Sequence, residues 1–312
     1  MRSVKRIVTT TYYTHNYFPK EEQLTLRDIH NSDWKKYVEE TVHSNNSTSG
    51  TAVVIYNDGE TMALLTCAHV VLSPDSLVEH FYTEKQYKTP FIKSYAQKDR
   101  QHNLVLDGNS ISSYSILATD SKADLALLKV QFENDEESSL NLVRAPEMEL
   151  TLGRSQNLSW GDFVYLAGFP KGRKMVSRSL VSLPDPYIPD RFYLDASFNP
   201  GFSGGIVVGV RSDTTEMHWL GMANSAFAET EYYLTPRQEN EGSYDPFLPY
   251  NESVYIKEKK RINYGVTNAI SAKVIRGFLR ANQTLMENNG IVVDDLLMAP
   301  EGDQFTNNRS KD

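Results

Sequence analysis

The chain has 312 residues, enough for two domains or one large one. Its 32 basic and 40 acidic side chains leave a net charge of −8, which argues against a nucleic-acid partner, and its 40% hydrophobic and 23% charged content is that of a soluble globular protein. The single cysteine, Cys67, excludes an intrachain disulfide, so stability must come from a buried core rather than the staples of small secreted domains.

No apolar run approaches the roughly 20 residues of a membrane span. The basic start, Met1-Arg2-Ser3-Val4-Lys5-Arg6, leads into threonines and tyrosines instead of an apolar stretch, so no signal peptide is read there. A cytoplasmic location is favoured on that ground; a periplasmic one stays open for a chain already trimmed of its leader.

The 18 tyrosines and 13 phenylalanines, with frequent Val, Ile and Thr, predict strands. Residues 7–13 read as the first. Residues 14–49 are polar and read as a long insertion, with a short helix in 26–42 carrying Trp34, Tyr37 and Val38. Two β-rich runs, 51–56 and 61–66, joined through Asn57-Asp58-Gly59, form a hairpin. At its exit stand Cys67, Ala68 and His69. Residues 72–101 show no regular pattern. A second hairpin spans 103–117 around Asp107-Gly108-Asn109. The apolar run after Asp124 reads as a fully buried strand.

The acidic stretch 134–139 marks a domain boundary, giving an N-terminal unit over 1–138 and a C-terminal one over 139–288. In the second unit, strands are expected at 161–170, 176–183, 191–195, 206–210, 219–224 and 262–270. A polar insertion covers 227–263. Ser271 reads as the N-cap of a closing helix over 271–287, with Val274, Ile275, Phe278 and Leu279 at helical spacing. The remaining residues, 289–312, read as a fraying tail.

The chemistry is concentrated in Asn199-Pro200-Gly201-Phe202-Ser203-Gly204-Gly205. Glycine among strands marks positive φ or a close backbone approach. Both suit a nucleophilic serine, whose neighbouring N–H groups can face a developing oxyanion. Alone, such a segment is as readily a glycine-rich turn. A serine nucleophile also needs a base and an orienting acid. A histidine after an apolar strand is ordinarily a satisfied core residue, but His69 stands at a strand exit, where it can reach a cleft. Asp124 opens a buried strand and needs donors there, whereas Asp120 fits the role of a turn aspartate capping its own backbone. The order His69, Asp124, Ser203 is that of chymotrypsin-like proteases, not of subtilisins or α/β-hydrolases.

At these stretches the chain resembles the trypsin-like serine proteases, in particular the HtrA/Deg branch. Residues 66–71 are similar to the motif around that branch's catalytic histidine, 120–129 to its aspartate segment and 195–205 to its nucleophile segment, with supporting matches at 161–172 and 264–270. The resemblance implies an all-β fold of two six-stranded antiparallel barrels of the chymotrypsin type with a C-terminal helix. It implies a serine endopeptidase with catalytic His69, Asp124 and Ser203, and an oxyanion hole made by the N–H groups of Gly201 and Ser203. No metal and no cofactor are required. A substrate pocket is expected from Phe198, Met222, Ala223 and Asn224; none is acidic, so small or medium apolar P1 residues are expected over Lys or Arg. Partners are protein or peptide substrates, with an activating protein and oligomerisation left open.

The chain departs from that branch in several ways, among them Ile206 in place of the usual proline after Ser-Gly-Gly. Phe202 occupies a position where asparagine or aspartate is usual, so the oxyanion loop is expected to need substrate or a partner to order. Only 24 residues follow position 288, too few for the branch's PDZ domain. Three readings stay open: an active endopeptidase, an enzyme latent until a partner switches it on, and a pseudoprotease that binds protein without cutting.

Overall fold

The computed structural model describes residues 1–31, 33–83, 87–132, 139–187, 190–210, 216–236 and 254–298. Its first unit is an antiparallel sheet of β1 (Val4–Tyr17), β2 (Glu40–Asn57), β3 (Thr61–Thr66), β4 (Ser76–Tyr82), β5 (Lys88–Asp107), β6 (Ser110–Ser113), β7 (Ser115–Asp120) and β8 (Leu125–Gln131). The order is β4-β5-β1-β2-β3-β8-β7, with β6 on β5. The second unit is a closed six-stranded barrel, ordered β10-β11-β14-β13-β12-β9. These strands are β9 (Phe163–Gly168), β10 (Met175–Leu183), β11 (Arg191–Leu194), β12 (Ile206–Val210), β13 (Met217–Pro236) and β14 (Val254–Ser271).

The fold is therefore all-β and chymotrypsin-like, with its first half curled and open where a closed six-stranded barrel was expected. The edge strands explain this. β4 pairs with residues 88–97 of β5, at the end of β5 away from the hydrophobic core, and so is not positioned to meet β7.

The polar stretches hold more strand than their composition suggested. Within the 14–49 segment, Thr14 to Tyr17 pair with His43 to Glu40, and residues 44–49 continue the ladder against 13–8, so the segment lengthens the β1–β2 pairing. Between Tyr17 and Glu40 lie a helix at Leu26–Asn31 and a 3₁₀ turn at Trp34–Tyr37. These fold back onto β5 through a satellite core of Phe18, Leu24, Ile29, Trp34 and Ile92, with Trp34 edge-on to Phe18 and Tyr95. Residues 227–236 pair with 254–263 as one ribbon. The rest of that segment, the boundary residues 133–138 and the tail 299–312 lie outside the described residues.

Ser271 takes the N-cap position of helix Ala272–Ala281 without a side-chain capping bond. Expected on the second unit alone, this helix instead buries Ile275, Phe278 and Leu279 in a cluster that also contains Leu64, Leu127 and Trp219. It thus spans the joint between the two sheets. Ile291, Val293 and Leu296 dock the chain up to residue 297 into the same cluster, where a fraying tail from residue 289 was expected. Among the described residues no helix is long and apolar enough to cross a membrane.

Candidate functional site

Three predicted residues meet between the two sheets. β3 ends at Thr66, and the short helix Ala68–Val71 turns His69 out of the core, 45% exposed. Asp124 stands just before β8 with φ +59, a left-handed conformation uncommon for a non-glycine residue. That turn aims its carboxylate at the histidine. His69 Nδ1 lies 2.6 Å from Asp124 Oδ2, and the His69 backbone N–H donates to Oδ1 at 2.8 Å. Asn224 Nδ2 also donates to Oδ2. The carboxylate thus takes three donors, while Asp120 caps its own turn through the N–H groups of Lys122 and Ala123, as expected.

Ser203 Oγ lies 2.8 Å from His69 Nε2 and 3.1 Å from the Asn224 carbonyl. The hydroxyl has one proton for these two acceptors, and the imidazole is the one that can carry it away.

The loop around the serine is fixed by its main chain. Asn199 to Phe202 form a turn with Pro200 second, Gly201 third at φ +102, and the Phe202 N–H donating to the Asn199 carbonyl at 3.0 Å. Every carbonyl from residue 200 to 203 is tied into the protein. Pro200 accepts from the Lys171 N–H, Phe202 from Gly205, and Ser203 from Thr51. Gly201 accepts from the Thr51 hydroxyl at 2.6 Å. Because C=O and N–H point opposite ways across a trans peptide, anchoring the Pro200 and Phe202 carbonyls turns the Gly201 and Ser203 N–H groups the other way. Among the described residues neither N–H has a hydrogen-bond acceptor.

Gly204 is required by space as well as by its φ of +85: a Cβ there would lie 1.9 Å from the Thr51 carbonyl oxygen. Thr51 is fully buried and also receives the Phe169 N–H on its hydroxyl and the Thr66 hydroxyl on its carbonyl. Thr66 opens the motif around His69 that the sequence showed, but Thr51 looks like an ordinary strand residue, and no local signal could have singled it out.

Phe202, expected to disturb this loop, is 1% exposed in the barrel core with Phe198, Leu166 and Val207. Burying such a side chain contributes about 2–3 kcal/mol. Of the residues expected to wall a substrate pocket, Met222 and Ala223 are fully buried and offer no surface to a ligand. They pack inward, and the Ala223 main chain pairs with Gly204 and Gly205. Phe198 lies in the same core as Phe202, and Asn224 holds Asp124.

Cys67, His69 and Asp124 bring ligand-type atoms within 4.8 Å of one another. Burial, then the nearby Asp124 charge, pushes the Cys67 thiol well above its usual range, and its sulfur donates to the Ala223 carbonyl at 3.4 Å. A protonated thiol and a carboxylate already holding three donors make a hydrogen-bonded cluster, not a ready metal set.

The profile of the trypsin-like peptidase domain matches residues 50–213. Among solved structures, the serine endoprotease from Yersinia pestis aligns at a TM-score of 0.43 and 17% identity, over 92% of this chain and 64% of that one. Rv3671c from M. tuberculosis H37Rv, in an inactive form, aligns at 0.44 and 14% identity, over 91% and 87% respectively. The chain thus spans just under two thirds of the length of the Yersinia protein. No curated protein matches it.

Proposed function

Since the chain belongs to the trypsin-like peptidase domain family, we propose that it is a serine endopeptidase working through Ser203, His69 and Asp124. In the proposed reaction His69 Nε2 takes the hydroxyl proton as Ser203 Oγ attacks a peptide carbonyl. The resulting oxyanion accepts from the N–H groups of Gly201 and Ser203. His69 then returns the proton to the departing amine, leaving an acyl-enzyme that water hydrolyses by the same steps. Asp124 fixes the imidazole tautomer and stabilises the imidazolium.

The observation that carries this reading is the chain of short contacts, 2.6 Å from aspartate to imidazole and 2.8 Å from imidazole to hydroxyl, beside two main-chain donors without acceptors among the described residues. The anchored carbonyls favour an oxyanion hole that stands ready over one awaiting a partner. Phe202, which had motivated the latent and binding-only readings, has a packing explanation. The HtrA/Deg affinity rests on the motifs at 66–71, 120–129 and 195–205, and a preference for small apolar P1 residues on the lack of an acidic side chain among the expected pocket residues.

Labelling with a fluorophosphonate probe tests the proposal. Label on the wild type that disappears in Ser203→Ala is the expected result. A folded wild type that takes no label would refute it.

A further inference from the structure

The chain carries a net charge of −8, yet cations gather beside its serine loop. Residues 171–174 read Lys-Gly-Arg-Lys, and Arg6 of β1 lies against them: a Cβ on Gly172 would stand 3.0 Å from the Arg6 guanidinium carbon. Lys171, Arg173 and Lys174 are exposed, and Arg6 is half-buried. Lys5, Lys93, Lys98 and Lys273 each meet a carboxylate. Among the described residues none of the clustered cations does. Arg6 gives its Nε–H to the Ser49 hydroxyl at 3.2 Å, and Lys174 Nζ stands 5.5 Å from the centre of the Phe169 ring. Like charges held together without a counter-charge make a local positive field that attracts anions.

The main chain that carries these cations is built into the site. A 3₁₀ turn at Pro170–Gly172 is closed by the Gly172 N–H on the Phe169 carbonyl at 3.0 Å and the Arg173 N–H on the Pro170 carbonyl at 3.1 Å. Lys171 sits at φ +51, a left-handed conformation uncommon outside glycine, and its N–H holds the Pro200 carbonyl at 2.8 Å. A Cβ on Gly201 would lie 2.3 Å from the Phe169 carbonyl oxygen, so the turn and the serine loop pack backbone to backbone. Arg6 pairs across the β1–β2 ladder with Thr51, whose hydroxyl holds the Gly201 carbonyl. The cluster thus borders the loop that bears the proposed oxyanion donors, and it is fixed to that loop from both sheets.

We propose that Arg6, Lys171, Arg173 and Lys174 form an anion subsite that selects polypeptide substrates carrying aspartate or glutamate within a few residues of the scissile bond. The proposal rests on the peptidase reading. An extended substrate advances about 3.3 Å per residue, so carboxylates about three residues from the carbonyl under attack come into the field of these long side chains. The acidic balance of the whole chain repels such substrates elsewhere, which confines the attraction to this rim of the site. The recognised class is thus acidic protein segments, selected by charge in addition to any preference at the cleaved residue itself.

The test uses internally quenched peptides with a common apolar core and amidated C-termini. Each carries a pair of aspartates, alanines or lysines about three residues from the scissile bond, before it in one series and after it in the other. In at least one series the aspartate peptide should show a kcat/KM about fivefold above the alanine peptide at low salt, mostly through KM. The gain should fade as salt is raised to about 0.5 M. Arg173→Glu combined with Lys174→Glu should invert the order, so that the lysine peptide is cut faster than the aspartate one; a variant that merely misfolds would lower all of them alike. Equal rates for the peptides in both series would overturn the proposal, as would an order that survives the charge reversal. So would an uncleavable acidic peptide that changes kcat on the alanine peptide, which would make the cluster an effector site. If no peptide is cut and the fluorophosphonate does not label Ser203, the peptidase reading fails separately. The subsite is then decided by anisotropy of fluorescent aspartate peptides on Ser203→Ala protein: binding weakened by the charge reversal upholds it, and binding that is absent or indifferent to the reversal refutes it.

Discussion

The two halves of the site are held by different kinds of bond. On the first sheet, His69 and Asp124 are fixed through side chains, with the carboxylate receiving the imidazole, the His69 N–H and the Asn224 amide. On the barrel, Ser203 is positioned through main-chain carbonyls anchored to Lys171, Gly205 and Thr51. Side-chain bonds depend on residue identity and fail when it changes. Main-chain bonds depend on backbone path and tolerate any side chain that fits. That is why Phe202 can stand at this position without disturbing the loop.

Breaking the side-chain half should cost most. Asp124→Asn keeps the shape but favours the wrong imidazole tautomer, and peptide hydrolysis should fall about 10⁴-fold with an unchanged circular dichroism spectrum. The main-chain half is probed by Thr51→Val, which leaves the Gly201 carbonyl and the Phe169 N–H without the hydroxyl. A loss of roughly 10–100-fold in kcat is expected, with KM little altered, and Thr51→Ser should restore most of it. Equal losses in both parameters would mean that Thr51 only supports the fold.

Phe202 sharpens the contrast, because its contribution should appear in stability more than in chemistry. Phe202→Ala should lower unfolding free energy by about 3–5 kcal/mol in urea. Phe202→Asn should also destabilise, without faster turnover; a gain in rate would revive the latent loop. The smallest effect concerns Cys67. Its thiol is raised in the fold, so between its ordinary range and the raised value the native state holds a proton that the unfolded state releases. Stability should therefore decline as pH rises above about 9, and Cys67→Ala should flatten that decline. Iodoacetamide should modify Cys67 only after unfolding, since it is buried.

The same contrast explains what could be read from the sequence. His69, Asp124 and Ser203 were legible because each needs a particular side chain in a particular local setting. Strands with a buried face, such as Thr61–Thr66 and Leu125–Gln131, were legible from apolar runs. The arms of β2 and β5 were not. Residues 40–47 of β2 are exposed throughout, so no burial pattern marks them, and they are held by backbone pairing and polar cross-strand bonds. Thr51 escaped notice for a related reason: its partners lie at residues 169, 201 and 203, far along the chain. Met222 and Ala223 were expected to line a pocket as part of the strand facing the serine segment, but they are fully buried, and sequence position does not say which face of a strand is enclosed.

Gly204 packed against Thr51 places the seam between the sheets directly beneath the nucleophile. The geometry of the Ser203 loop is consequently a gauge of how tightly the two halves are joined at Thr51. A small molecule that parted the sheets at Thr51 is expected to displace that loop without entering the cleft.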